Sequence, residues 1–298
     1  PSDDSMRRWM RTHRPGRVVV FYGTNKAILN HSATLQTTSI KHDNTGILKL
    51  SGLKANTRYY YRIEDHQLNG SFRTLPHADL FRHPDANPKG LFNFKFEFAC
   101  GNNQQGGGDS AGPTLPVYDT LNAKVRDEIH FAILNGDWLY EQRRDYPPKS
   151  WLHQAGLDSM KNAPRIVQKA PSIVGVWENY KVYLERGRNL SEWHRNMPSF
   201  YTADDHEMIN DIYGTGETGY VNRRAVFRDI ATRAWFDYLA WSNPIEHSAT
   251  AWFGTGHFRE NSNILEDSKA DFTKINLENL ANLHVPVSYT HLTLPTKA

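Results

Sequence analysis

The sequence predicts an α/β protein: a small all-β sandwich followed by a layered α/β domain. Three features carry that expectation. The first 75 residues hold five short β-branched or aromatic runs set between Gly, Asn and Asp turn signals. Residues 76–91 are rich in Pro, Asp, Asn and His, a linker composition. Residues 92–286 then run strand, helix, strand, and extended runs end in polar residues there.

In the first module, residues 1–75, the expected strands are Arg17–Gly23, Ala33–Thr38, Gly46–Leu50, Arg58–Ile63 and Gly70–Thr74. The stretch Leu50 to Tyr61 resembles the fibronectin type III pattern, in which a leucine precedes a turn and a tyrosine opens the next strand. A sandwich lacking its first strand fits these runs.

In the second domain, Asn93–Ala99 alternates apolar and polar residues, whereas His130–Leu134 is continuously apolar, as a strand buried on both faces would be. Leu115 to Glu128 reads as a helix with Leu115, Val117, Leu121 and Val125 available for burial. Ala170 to Gly187 carries Val174, Val176, Trp177, Tyr180, Tyr183 and Leu184 at helical spacing, and Leu190 to Asn196 reads as a shorter helix. Asn222 suits the cap of a helix bearing Val226, Phe227, Ile230, Ala234, Trp235, Tyr238 and Leu239, stopped at Asn243-Pro244. Val287 to Thr296 resembles the in-frame translation of a common sequencing adaptor, so residues 287–298 are read as a non-native tail.

The 298 residues, 39% hydrophobic and 12% aromatic, suffice for real cores. A net charge of +3 with scattered Lys and Arg offers no basic stripe, so nucleic acid is not an expected partner. No apolar run approaches the roughly 20 residues that span a bilayer. The single cysteine, Cys100, excludes an intrachain disulfide.

Chemistry concentrates where strand-like runs end. Phe98-Ala99 leads into Cys100-Gly101-Asn102-Asn103 and a Gly-rich loop to Gly112. Leu134-Asn135 leads into Gly136-Asp137-Trp138-Leu139-Tyr140-Glu141, and Thr202-Ala203 into Asp204-Asp205-His206-Glu207. The C-terminal strand ends of such a sheet gather on one edge, where ligands bind. Each segment also has an ordinary reading: Cys100 as a small buried hydrophobe, Gly136-Asp137 as a turn, and the acidic run as a solvated loop. Adjacent carboxylates repel, so the run is tolerated either open to water or around a cation.

Taken together, the motifs resemble the PhoD-type alkaline phosphatases, a calcineurin-like metallophosphoesterase branch with a β-sandwich ahead of its catalytic domain. The resemblance spans roughly residues 17–241 and rests on pairing Gly136-Asp137-Trp138-Leu139-Tyr140-Glu141 with Asp204-Asp205-His206-Glu207. It implies a metallophosphoesterase-type α/β sandwich that hydrolyses phosphate mono- or diesters at a dinuclear centre of Fe3+ and Ca2+. By the same resemblance, Cys100 and Tyr140 ligate the ferric ion, Asp137 bridges to calcium, Asp205 serves the second metal, and His206 touches the phosphate or steadies the nucleophile. Anionic sulfur and oxygen donors offset a trivalent cation, and calcium prefers oxygen.

The chain departs from the family in having Ala99-Cys100-Gly101 where Ser-Cys-Gln is usual, and in lacking a late Gly-Asp-x-His motif. These 298 residues alone are therefore expected to bind metal incompletely and turn over poorly. A secreted or periplasmic location and a small phosphate-ester substrate follow from the resemblance. Two other readings stay open: an extracellular ligand-binding protein with a degenerate catalytic domain, and a zinc hydrolase of another lineage that uses His and Asp without phenolate.

Overall fold

A computed structural model describes residues 1–37, 40–64, 68–103, 115–141, 153, 156–163, 168–169, 172–210 and 223–242, with short pieces at 257–262, 264–268, 271, 273, 283–285 and 290–292. The chain is mixed α/β with several sheets, and its N-terminal region is all-β.

That region contains β1 (Met6–Arg11), β2 (Arg17–Gly23), β3 (His31–Gln36), β4 (Thr45–Leu50), β5 (Arg58–Ile63) and β6 (Asn69–Arg73). Strands β2, β3, β5 and β6 form an antiparallel sheet in the order β3-β2-β5-β6, while β1 pairs antiparallel with β4. Alternate side chains point inward, and Val20, Leu35, Leu48, Leu50, Tyr59, Tyr61 and Phe72 close a core between the sheets. The Tyr59 hydroxyl accepts a hydrogen bond from the Lys54 N–H at 2.9 Å, folding the turn before β5 against the strand. Strand β1 escaped notice in the sequence because its Met-Arg-Arg-Trp-Met-Arg composition does not alternate cleanly and only Met6 is buried.

The second region holds β7 (Phe96–Ala99), β8 (Phe131–Asn135) and β9 (Ser199–Thr202), paired in parallel in the order β7-β8-β9. Their helices are α1 (Val117–Thr120), α2 (Ile173–Arg186), α3 (Arg188–Asn196) and α4 (Arg223–Tyr238). Residues from all four helices, among them Tyr118, Trp177, Tyr180, Trp193, Ala234 and Tyr238, share one core with Ala132, Leu134 and Tyr201 of the sheet. Strand β8 was expected to be buried on both faces, but every described helix packs on one face only. On the other, Phe96 and Phe98 are exposed and Phe131, Ile133 and Phe200 half-buried, with Phe96 stacked on Phe131 at 5.5 Å.

The expected helix at Leu115–Glu128 is shorter: α1 gives way to a wide π turn over Leu121–Val125, closed by Arg126 N to the Leu121 carbonyl at 2.9 Å. That register buries Tyr118 and leaves Val117 57% exposed. Helices α2 and α3 meet at Gly187, as expected. Asn222, most of the Gly-rich loop, and residues 287–289 and 293–298 of the suspected tail lie outside the described residues, while Thr290–Leu292 pairs antiparallel with Leu283–Val285. No described helix is long and apolar enough to cross a membrane.

Among the links between the two regions is a buried acid, Asp43. Asp43 takes a bidentate ion pair from Arg11 at 2.8 and 3.1 Å, a hydrogen bond from the Tyr238 hydroxyl at 2.5 Å, and a longer contact with Lys181 at 3.6 Å. It adopts a left-handed backbone (φ 50°) followed by Asn44 (φ 56°), a conformation Asp and Asn tolerate better than other side chains. Beside it, Trp9 of β1 donates its indole N–H to the Asp237 carbonyl at 2.8 Å and lies 5.1 Å from the Tyr238 ring.

Burial alone raises the Asp43 carboxyl, but the Arg11 and Tyr238 hydrogen bonds and the Lys181 charge outweigh it and hold the group below its ordinary 3.8. A lowered carboxylate stabilises the fold fully above its unfolded value, and that contribution is lost as pH falls through the folded one. Asp43→Asn should therefore cost about 3 kcal/mol in urea unfolding at pH 7, where a partner of a buried pair is removed. The gap from wild type should close below pH 3.8; an equal gap at both pH values would contradict the assignment.

Candidate metal centre

Level strand ends create the site. Because Ala99 pairs with Leu134, and Asn135 with Thr202, the loops after β7, β8 and β9 emerge side by side. Gly101 N donates to the Gly136 carbonyl at 3.3 Å and Asn102 N to the Asp137 carbonyl at 2.7 Å, tying the first loop to the second. Gly136 has φ +77°, and a Cβ there would stand 2.5 Å from the Asp204 Cβ, so only glycine lets the second and third loops touch. Asp137 itself is held at φ 51°, an uncommon conformation for a residue with a side chain.

Glu207 fixes the rest. Its fully buried carboxylate accepts from Asp137 N at 3.1 Å, Trp138 N at 2.5 Å and Asp204 N at 2.8 Å, so one side chain satisfies backbone donors from two loops. Burial pushes its pKa up to about 7 even though all of these N–H groups pull it down.

Ligand atoms of Asp137, Asp205 and His206 lie within 4.8 Å of one another. Tyr140 donates its hydroxyl to Asp137 Oδ2 at 3.1 Å, while Asp137 Oδ1 is buried without a hydrogen-bond partner. The Tyr140 and His206 rings are 4.1 Å apart, and His206 Nδ1 meets Glu141 Oε2 at 2.7 Å. Cys100 is exposed at the first strand end and stands outside the triad.

The electrostatics share one sense. Burial, then the charges of Asp205 and Asp204, raise the Asp137 carboxyl above its usual range despite His206 and the Tyr140 hydrogen bond. Burial and the Asp137 charge raise the Tyr140 phenol, and desolvation with the charges of Asp137, Asp204 and Glu207 raises the Cys100 thiol. Burial opposes a proton on His206, but Glu141, Asp137 and Asp205 outweigh it and raise its pKa. Negative charge is thus in excess here. A cation placed among these groups would reverse each penalty, and the orphaned Asp137 oxygen is the kind of atom a metal satisfies.

The sequence pointed to Cys100, Asp137, Tyr140, Asp205 and His206, and all are at this rim, with Cys100 at its margin. It gave no role to Gly136, Glu141 or Glu207. Their signal was present as the remaining members of the two motifs, but loop acids read as solvated.

The family model of PhoD-like phosphatases matches residues 94–272. The chain belongs to the PhoD-like phosphatase family. The match runs past Trp241, beyond which the sequence by itself showed no resemblance. A solved structure of PhoD is similar to 80% of this chain with a TM-score of 0.57 and 20% identity, a likeness of fold. This chain spans 44% of that structure's length. Two crystal structures of the Group B Streptococcus pullulanase SAP align over 49% of the chain at 10% identity, but their TM-score of 0.17 carries no structural weight. No curated protein matches the chain. In this member of the PhoD-like family, the motif loops occupy one edge of a parallel sheet.

Replacing Glu207 with Ala would leave its three backbone donors without a partner, at roughly 1–3 kcal/mol each. Glu207→Ala should lower the melting temperature and weaken metal uptake together, measured by calorimetry and by metal analysis after dialysis. Full metal loading at wild-type affinity would show that the loops hold their places without it.

Proposed function

We propose that the full-length protein is a PhoD-like alkaline phosphatase or phosphodiesterase that hydrolyses phosphate mono- or diesters. The observation that carries this is the Asp137–Asp205–His206 triad with a buried, unpartnered Asp137 oxygen, set at the meeting of strand-end loops. Cys100 and Tyr140 would hold a ferric ion as thiolate and phenolate, Asp137 would bridge it to calcium, and Asp205 would serve the calcium. Bound there, the metal pair supplies charge neutralisation for a phosphoryl group and a water of lowered pKa. Asp137, fixed by its left-handed backbone and the Tyr140 hydroxyl, would offer a carboxylate oxygen to the cations. His206, packed on Tyr140, would present its ring to a phosphate oxygen. His206 and Asp205 thus carry the catalytic roles.

A zinc hydrolase is the second reading, favoured by the Asp-Asp-His composition of the triad and by Cys100 lying outside it. Metal analysis separates the two, since iron with calcium supports the first and zinc without iron the second. Residues 1–75 are proposed as a fibronectin type III-like module, supported by the Tyr59 hydroxyl bonded to Lys54 N, with 76–91 as linker and 92–286 as catalytic domain. The proposed location is secreted or periplasmic.

Asp137→Ala in the full-length enzyme should abolish hydrolysis of a chromogenic phosphate ester while far-ultraviolet dichroism stays unchanged; retained turnover would reject its role. Cys100→Ser should lose visible charge-transfer absorption only in part, because Tyr140 still donates. An identical spectrum would remove Cys100 from the iron shell.

A further inference from the structure

Two acids of the site region are fully buried, Glu207 and Glu141, and they are used differently. Glu207 spends its oxygens on backbone donors. Glu141 accepts the Asn210 N–H at Oε1, at 2.6 Å, but turns Oε2 to His206 Nδ1 at 2.7 Å. The neighbouring Tyr140 packs its ring on the same imidazole, with centroids 4.1 Å apart. Consecutive residues therefore grip His206, one at its edge and one at its face. The dipeptide is itself anchored on α2, where Tyr140 N donates to the Tyr183 hydroxyl at 2.9 Å and Asn179 donates to the Tyr140 carbonyl at 3.4 Å.

Burying a carboxylate is costly unless its partners compensate it. A carboxylate needed only to cap the turn at Asn210 would have no use for an imidazole. We infer that Glu141 is a positioning residue for His206: it commits Nδ1 to the protein, fixes the ring plane, and leaves Nε2 for the phosphoryl group. This rests on the phosphatase reading. Both Glu141 oxygens are committed, to Asn210 N and His206 Nδ1, so its effect passes through the histidine, as with carboxylates that orient ligand imidazoles.

A double-mutant cycle in the metal-loaded full-length protein tests it, with Glu141→Gln, His206→Ala, both together, and Glu141→Asp as a milder change. Glu141→Gln should lower kcat on a chromogenic phosphate monoester by about 10- to 100-fold with KM and metal content little changed. Added to His206→Ala, it should cost no more than about twofold, because the residue it acts through is gone. Glu141→Asp should recover part of the loss. Equal losses in both backgrounds, or metal loss in proportion to activity, would overturn the inference. If the wild-type protein binds metal but hydrolyses no phosphate ester, the phosphatase reading fails by itself. Nitrogen-15 NMR of His206 then decides separately: Nδ1 should carry the proton in wild type and lose that preference in Glu141→Gln, and unchanged ring signals would refute the positioning role.

Discussion

One buried carboxylate organises the functional edge of this protein. Glu207 gathers the N–H groups of Asp137, Trp138 and Asp204, and thereby locks the turn after β8 to the turn after β9. Without that link, two acidic loops would have to be held together against their own repulsion. With it, the carboxylates of Asp137 and Asp205 are brought close, and burial together with the Asp205 and Asp204 charges raises the Asp137 carboxyl despite His206 and the Tyr140 hydrogen bond. The Gly136 approach to Asp204 is the steric counterpart of the same constraint, since any side chain there would force the loops apart.

Support for that edge comes from outside the sheet as well. The face opposite the exposed phenylalanines is filled by α1 to α4, and α4 is pinned from the far side by the N-terminal region through Asp43, Tyr238 and Trp9. Two carboxylates, Asp43 and Asp137, show opposite electrostatic outcomes. At Asp43, protein cations and a hydroxyl meet the carboxylate and hold it ionised. At Asp137 no protein cation does so fully, and burial pushes the group toward its neutral form. The first pattern is that of a structural joint, and the second that of a group able to take a cation.

Much of this was legible in the sequence, for definable reasons. The continuous apolar run at His130–Leu134 and the turn residues after it located β8 and its functional loop. Helix α2 followed from Val176, Trp177, Tyr180 and Tyr183 at helical spacing. Strand β1 did not, because Trp9 meets Asp237 of the second region and an external neighbour cannot be read from local alternation. Tyr118 took the core place expected of Val117, its ring edge-on to Trp193 and its hydroxyl bonded to Asn102, partners that local spacing does not reveal. At the site, the residues with metal chemistry stood out by type. Glu141 and Glu207 did not, since their importance lies in burial and in backbone donors contributed by distant residues.

The central claim, that the three strand ends converge around cations, is tested most directly by anomalous diffraction from crystals of the full-length protein, with data on both sides of the iron absorption edge. The account predicts an iron peak in coordination contact with Tyr140, Asp137 and Cys100, beside a lighter cation at Asp205. An anomalous peak elsewhere in the molecule, or a rim holding no metal in a protein that contains iron, would contradict it.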